Sequence, residues 1–157
     1  MEQLQIIKMA KTNFENSEVQ HYIDYLGGII NRMASNSANC KNWLLAIIAG
    51  CMAMQPSTQA VTSKIWLAYP LVILFGVLDA YYLGCEKYYR KKMGDFVDKV
   101  RTDGDQYSES LYKFEERTVS DDFDAVLSGA SSIATWLFYG AIIVFAFLIN
   151  NGIIRLV

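Results

Sequence analysis

The chain has 157 residues, enough for one compact unit and too few for two folded domains with membrane anchors besides. Apolar residues make up 53% of it and are gathered in blocks, the arrangement of membrane spans rather than of a soluble core. A formal net charge of -2 with no basic tail gives no case for binding long nucleic acid, and one histidine, His21, excludes multi-histidine metal sites.

In chain order, segment 1–17 lacks a basic region followed by an apolar one, so no cleaved leader is predicted and the first span must target the membrane. Val19, Tyr22, Ile23, Leu26, Ile29, Ile30 and Met33 then recur at helical spacing, with no proline before the apolar run Trp43 to Met54. One long helix over 18–56 is predicted, beginning outside the membrane and entering it. Its apolar run is short for a span unless extended back through Lys41 and Asn39, so it needs a partner helix.

That partner follows a loop at 57–64. Segment 65–85 contains 20 apolar-rich residues from Ile65 to Gly84, which as a helix rise about 30 Å, the thickness of the hydrocarbon layer. Pro70 lies one turn inside, where neighbouring helices can cover the lost backbone bond. In 86–128, Tyr107, Leu111 and Phe114 have helical spacing and Thr102 to Gln106 reads as a turn. Ser120 with Asp121, Asp122 and Asp124 suits the start of the last helix, where acids meet the positive dipole end. Segment 129–157 holds the third span, centred on Ile133 to Ile149.

The predicted fold is an all-α membrane protein: three transmembrane helices, a long N-terminal cytoplasmic helix and a short helical cytoplasmic segment, assembled as an oligomer. Twelve Lys and Arg residues lie before the first span or within 86–128, against Lys64 and Arg155 on the other side. This bias puts the N-terminus in the cytoplasm and the C-terminus outside.

Asp79 lies within the second span, where an unpaired carboxylate costs several kcal/mol, so it needs a partner. Counted outward from the middle of the hairpin loop, Lys41 falls at the depth of Asp79, and Arg32 near Glu86 and Tyr88. Two readings stand: ion pairs that lock the hairpin, or polar groups lining a water-filled path. The stretch Asn31 to Asn42 is rich in small and amide side chains. It fits a helix crossing at the interface, or a ring of Asn31, Ser35 and Asn39 around a symmetry axis, which three spans can form only in an oligomer.

After the second span come Tyr88, Tyr89, Arg90, Lys91 and Lys92. They fit a basic anchor at anionic headgroups, or a ligand site in which tyrosines stack bases and cations hold phosphates. Cys40, Cys51 and Cys85 read as packed thiols. No nucleophile elbow, phosphate loop or zinc-helix motif occurs, so no catalytic residue, metal or cofactor is expected.

Residues 21–43, HYIDYLGGIINRMASNSANCKNW, and 78–91, LDAYYLGCEKYYRK, resemble a widespread family of small bacterial membrane proteins from anti-phage defence operons, the group that includes the Hailong effector channels. The third span matches only in placement. The resemblance implies a homo-oligomeric ion channel, with a tetramer favoured, held shut until an oligonucleotide-type signal made by a partner nucleotidyltransferase binds. Opening would depolarise the infected cell and arrest its growth. It further implies that Arg32, Asn36, Lys41, Asp79, Tyr82 and Glu86 shape the cytoplasmic mouth. The apolar Leu4, Ile6, Ile7 and Met9, placed ahead of a polar pore-side helix, are expected to plug that mouth. Gly27 and Gly28 depart from the family pattern, marking a hinge or a close approach of helices. The competing readings are a membrane scaffold that recruits a soluble partner and a holin-like pore toxin.

Overall fold

Unbroken apolar recurrence carries the two longest helices far beyond membrane length. In the computed structural model, which describes residues 13–53, 65–102, 108–109, 111–112, 118–151 and 153, α1 spans Ser17–Ala53 and α2 spans Ala68–Thr102. A single 3-10 turn, Ile65–Leu67, leads into α2. Two shorter helices follow, α3 over Val119–Ala130 and α4 over Ile133–Asn150. Every regular element among the described residues is helical, so the fold is all-α. Leu4, Ile6, Ile7 and Met9, expected to form a plug, lie outside the described residues, as do the loop 57–64, Tyr107 and Phe114.

Helix α2 is the centre of the arrangement, with α1, α3 and α4 all packed against it. The α1–α2 pair is antiparallel: Tyr22 meets Phe96 edge to face at 4.7 Å between ring centroids, and Lys41 meets Asp79. This register lays roughly 33–53 of α1 alongside 65–85, the 3-10 turn and the first half of α2, at 1.5 Å rise per helical residue. Apolar side chains fill the seam in three groups. Val19, Tyr22, Leu26, Phe96 and Val100 close the end farthest from the hairpin loop, with Phe14, Tyr89, Met93 and Leu111 around them. Leu44, Val72 and Tyr139 join α1, α2 and α4 midway. Ala68, Ala146 and Ile149 close the loop end.

Helices α2 and α3 touch backbone to backbone. A Cβ built on Gly84 would collide with the carbonyl of Ala125, and one built on Gly129 would collide with that of Ala80. Two small residues four apart on each helix, Ala80 with Gly84 and Ala125 with Gly129, thus allow an approach that larger side chains would block. The start of α3 is set by a reciprocal capping box. Thr118 accepts from the Asp121 N–H through Oγ1, and its own N–H donates to Asp121 Oδ2 at 2.7 Å. The cap is therefore Thr118, two residues ahead of the expected Ser120, and Asp121 and Asp122 fill the first turn.

Nor do 129–157 form one element. The chain breaks at Ser131 and Ser132 before α4 begins; the Leu127 and Gly129 carbonyls accept from the backbone N–H groups of Ser131 and Ser132, and those of Ser128 and Ala130 from side chains. Lys87 Nζ donates to the Ser128 carbonyl at 2.6 Å, and the Trp136 indole N–H donates to the Ala130 carbonyl at 2.7 Å. The expected boundary at 85–86 is likewise crossed without a break, because Tyr89, Met93, Phe96 and Val100 continue the α1-facing stripe of α2.

Among the described residues two helices, α2 and α4, are long and apolar enough to cross a membrane. Two of the three expected spans meet this criterion. Helix α1 falls short because its described apolar stretch begins only at Trp43 and ends at Ala53, preceded by Lys41 and a run of amides.

Candidate functional site

The α1–α2 seam buries one charged centre. Asp79, on the α1-facing side of α2, is fully buried, and Lys41 Nζ lies 2.6 Å from its Oδ2. Ser37 Oγ donates to the other carboxylate oxygen, Oδ1, and accepts from Lys41 Nζ at 3.3 Å. Ser37 and Lys41 stand four residues apart on one face of α1, so the helix itself holds the two donors together. The carboxylate sits about 16 Å along the axis from the start of α2 at Ala68 and about 9 Å short of Cys85, where the apolar segment ends. One turn toward the hairpin loop, Tyr139 Oη of α4 donates to the Phe75 carbonyl at 3.1 Å and ties the third long element to the same level.

Hairpin register thus places Lys41 against Asp79 as loop counting predicts. The second anticipated pair is absent: Glu86 Oε1 is taken by Arg90 Nε at 2.7 Å, one turn along its own helix. Arg32 is exposed and makes no ion pair among the described residues. An intrahelical partner four residues away is always within reach, whereas Arg32 would have to cross the seam to compete.

The outward face of α1 differs in kind from a lipid-facing surface. Asn31, Ser35, Asn39 and Asn42 are all exposed along one stripe at helical spacing, and Ala46, Ala49 and Ala53 continue it. Bulky exposed side chains stand to its flanks, with Trp43 65% exposed. The apolar exposed faces of α2 and α4, including Ile73, Leu74, Trp136 and Leu137, suit hydrocarbon. The α1 stripe does not, because its register puts it at the same depth and each amide left unsatisfied in hydrocarbon costs roughly 2 kcal/mol or more.

The remaining anticipated residues are dispersed. Asn36 is half-buried to one side of the stripe, and Tyr82 is half-buried on α2. Tyr88, Tyr89, Arg90, Lys91 and Lys92 occupy successive positions of a helix, about 100° apart, so they cannot form one patch within a protomer. Tyr89 packs on the seam, Arg90 binds Glu86, and Tyr88 is 37% exposed. The Tyr88 ring meets Tyr89 edge to face at 5.3 Å, and Tyr22 meets Tyr112 at 5.2 Å. Burial, and then the neighbouring Tyr25, Tyr88 and Tyr112, push the Tyr22 phenol above its ordinary range.

Ser37 and Tyr139 escape sequence reasoning, although asking which residue lies one turn before Lys41 would have found Ser37. Thr135 Oγ1 is buried with no hydrogen-bond partner. Among the described residues no group of His, Cys, Asp or Glu is disposed to hold a metal. Cys40 and Cys85 are buried free thiols, and Cys51 is an exposed one. Comparison with family models, curated proteins and solved structures returns no match.

Proposed function

We propose that this chain is a homo-oligomeric ion channel of the bacterial inner membrane, an effector of anti-phage defence whose nucleotide-controlled opening depolarises the infected cell. The observation that carries the channel reading is the amide and hydroxyl stripe of α1, exposed at the depth of apolar α2 and α4. Copies gathered around a common axis satisfy those groups with water in a shared path, while the exposed aromatic and branched side chains of α2 and α4 meet lipid. Helix α1 is then the third membrane crossing. It is shielded on its inner side by α2 and polar on its outer side because that side lines the pore. The defence role and the nucleotide signal rest on the resemblance of 21–43 and 78–91.

Ion flux from liposomes holding the purified protein tests the reading, with and without nucleotide extracts of phage-infected cells that carry the neighbouring genes. Extract-dependent flux is expected. Flux that ignores the extract favours a holin-like pore. No flux from verified oligomers with an active extract favours a scaffold, for which the exposed tyrosines Tyr25, Tyr88 and Tyr112 offer a docking face.

A further inference from the structure

Resting on the channel reading, we infer that the pore passes small inorganic anions and that Arg32 selects them. Between Gly28 and Ala53, α1 carries two charged residues, Arg32 and Lys41; α2 carries one between Ala68 and Cys85, Asp79; and α4 carries none. Asp79 is wholly buried against Lys41, with both charges turned into the seam away from the stripe, so this pair cancels. Of these three charges, the guanidinium of Arg32 is the one with no ion pair among the described residues. It lies on the stripe face one turn before Ser35, level with the end of the apolar segment of α2. Glu86, the acid nearest in register, is already bonded to Arg90.

No carboxylate interrupts the stripe from there to the loop end of α1. The next acid along α1, Asp24, lies about 12 Å farther out on the axis, more than the Debye length of about 8 Å at physiological salt. A ring of Arg32 side chains at the cytoplasmic mouth therefore gives the path a positive potential. Cations pay to enter it and anions gain, while the amides of Asn39 and Asn42 can solvate an anion through their N–H groups.

The test reads this potential directly in the full-length protein in liposomes, in a Cys51→Ser background with Asn39→Cys as reporter. Modification rates by an anionic sulfonate-bearing and a cationic trimethylammonium-bearing thiosulfonate are each divided by the same reagent's rate with a free thiol. The normalised anionic rate is expected to exceed the cationic one several-fold. Arg32→Lys should keep that preference, Arg32→Gln should bring the ratio toward one, and Arg32→Glu should invert it. Asn42→Cys repeats the measurement one turn deeper. A ratio at or below one, or a ratio that Arg32→Glu does not move, overturns anion selection while leaving the pore in place. Failure of both reporters to react with either reagent in verified oligomers removes water from the stripe, and overturns the channel reading together with this inference.

Discussion

Removing the ammonium of Lys41 while keeping its bulk isolates what the buried pair contributes. In Lys41→Met, Asp79 keeps only the hydroxyl of Ser37, and its other oxygen loses the 2.6 Å contact that compensated its charge. Stranding one member of a buried ion pair costs about 3–5 kcal/mol. Asp79→Asn is milder, because the amide oxygen still accepts from Ser37 and Lys41, about a quarter exposed, can turn toward water. That loss is about 1–2 kcal/mol. The double variant strands no charge and should lie closer to Asp79→Asn than to Lys41→Met, giving a coupling of about 3–4 kcal/mol. Unfolding of the reconstituted protein by a denaturing detergent, followed through loss of helicity, measures all four corners of the cycle. Costs that add to within about 0.5 kcal/mol would mean that the two groups do not share one desolvated site, and would refute the argument.

Four other outcomes follow. Gly84→Ala or Gly129→Ala puts a Cβ into a facing backbone carbonyl, so each should cost at least the 1–3 kcal/mol typical of overpacking and expose the α3 start at Thr118 to proteases. By contrast nothing stands within 4 Å of a Cβ at Gly27 or Gly28, and Gly27→Ala should raise helix stability by about 1 kcal/mol in a thermal melt; a drop would assign Gly27 to a hinge or to contact between copies. Because the folded state favours the neutral Tyr22 phenol, its contribution is complete below about pH 10 and is lost as the pH rises through the raised value. Tyr22→Phe should abolish this alkaline loss of helicity. Deleting residues 2–14 should leave an open channel that arrests growth on induction, and unchanged growth counts against a plug.

Much of the helical frame was legible because two straight antiparallel helices turn sequence offset into depth. Counting outward from the loop was enough to set Lys41 against Asp79. The same count misassigned Arg32, since depth alone does not say which of two cations wins an acid, and Arg90 is anchored one turn from Glu86. Thr118 was readable as a cap from the acid three residues on. It was passed over for Ser120, whose following acids looked stronger but belong to the first turn. The contact of Ala80 and Gly84 with Ala125 and Gly129 left a weak trace, two small residues four apart on each helix. Their mutual distance depends on a fold that brings distant residues together, Gly84 with Ala125 and Ala80 with Gly129. The break at Ser131 was hidden because it carries no glycine or proline, and one carbonyl before it, that of Ser128, is bonded from a distant helix by Lys87.

The absence of any break in α2 has a mechanical side. From Asp79 to Thr102 the helix extends about 35 Å, braced over most of that length by α1 through Tyr22, Leu26, Phe96 and Val100. Paired rods of this kind resist bending, so a torque applied at the far tip is delivered at the ion pair with little loss. Pivoting about the Lys41–Asp79 level by about 5° sweeps the tip through roughly 3 Å on this 1.5 Å per residue scale. A tip displacement of one side-chain width is thereby geared down to a much smaller rotation at the stripe, which is the ratio a ligand gripping the outer end would have to work against.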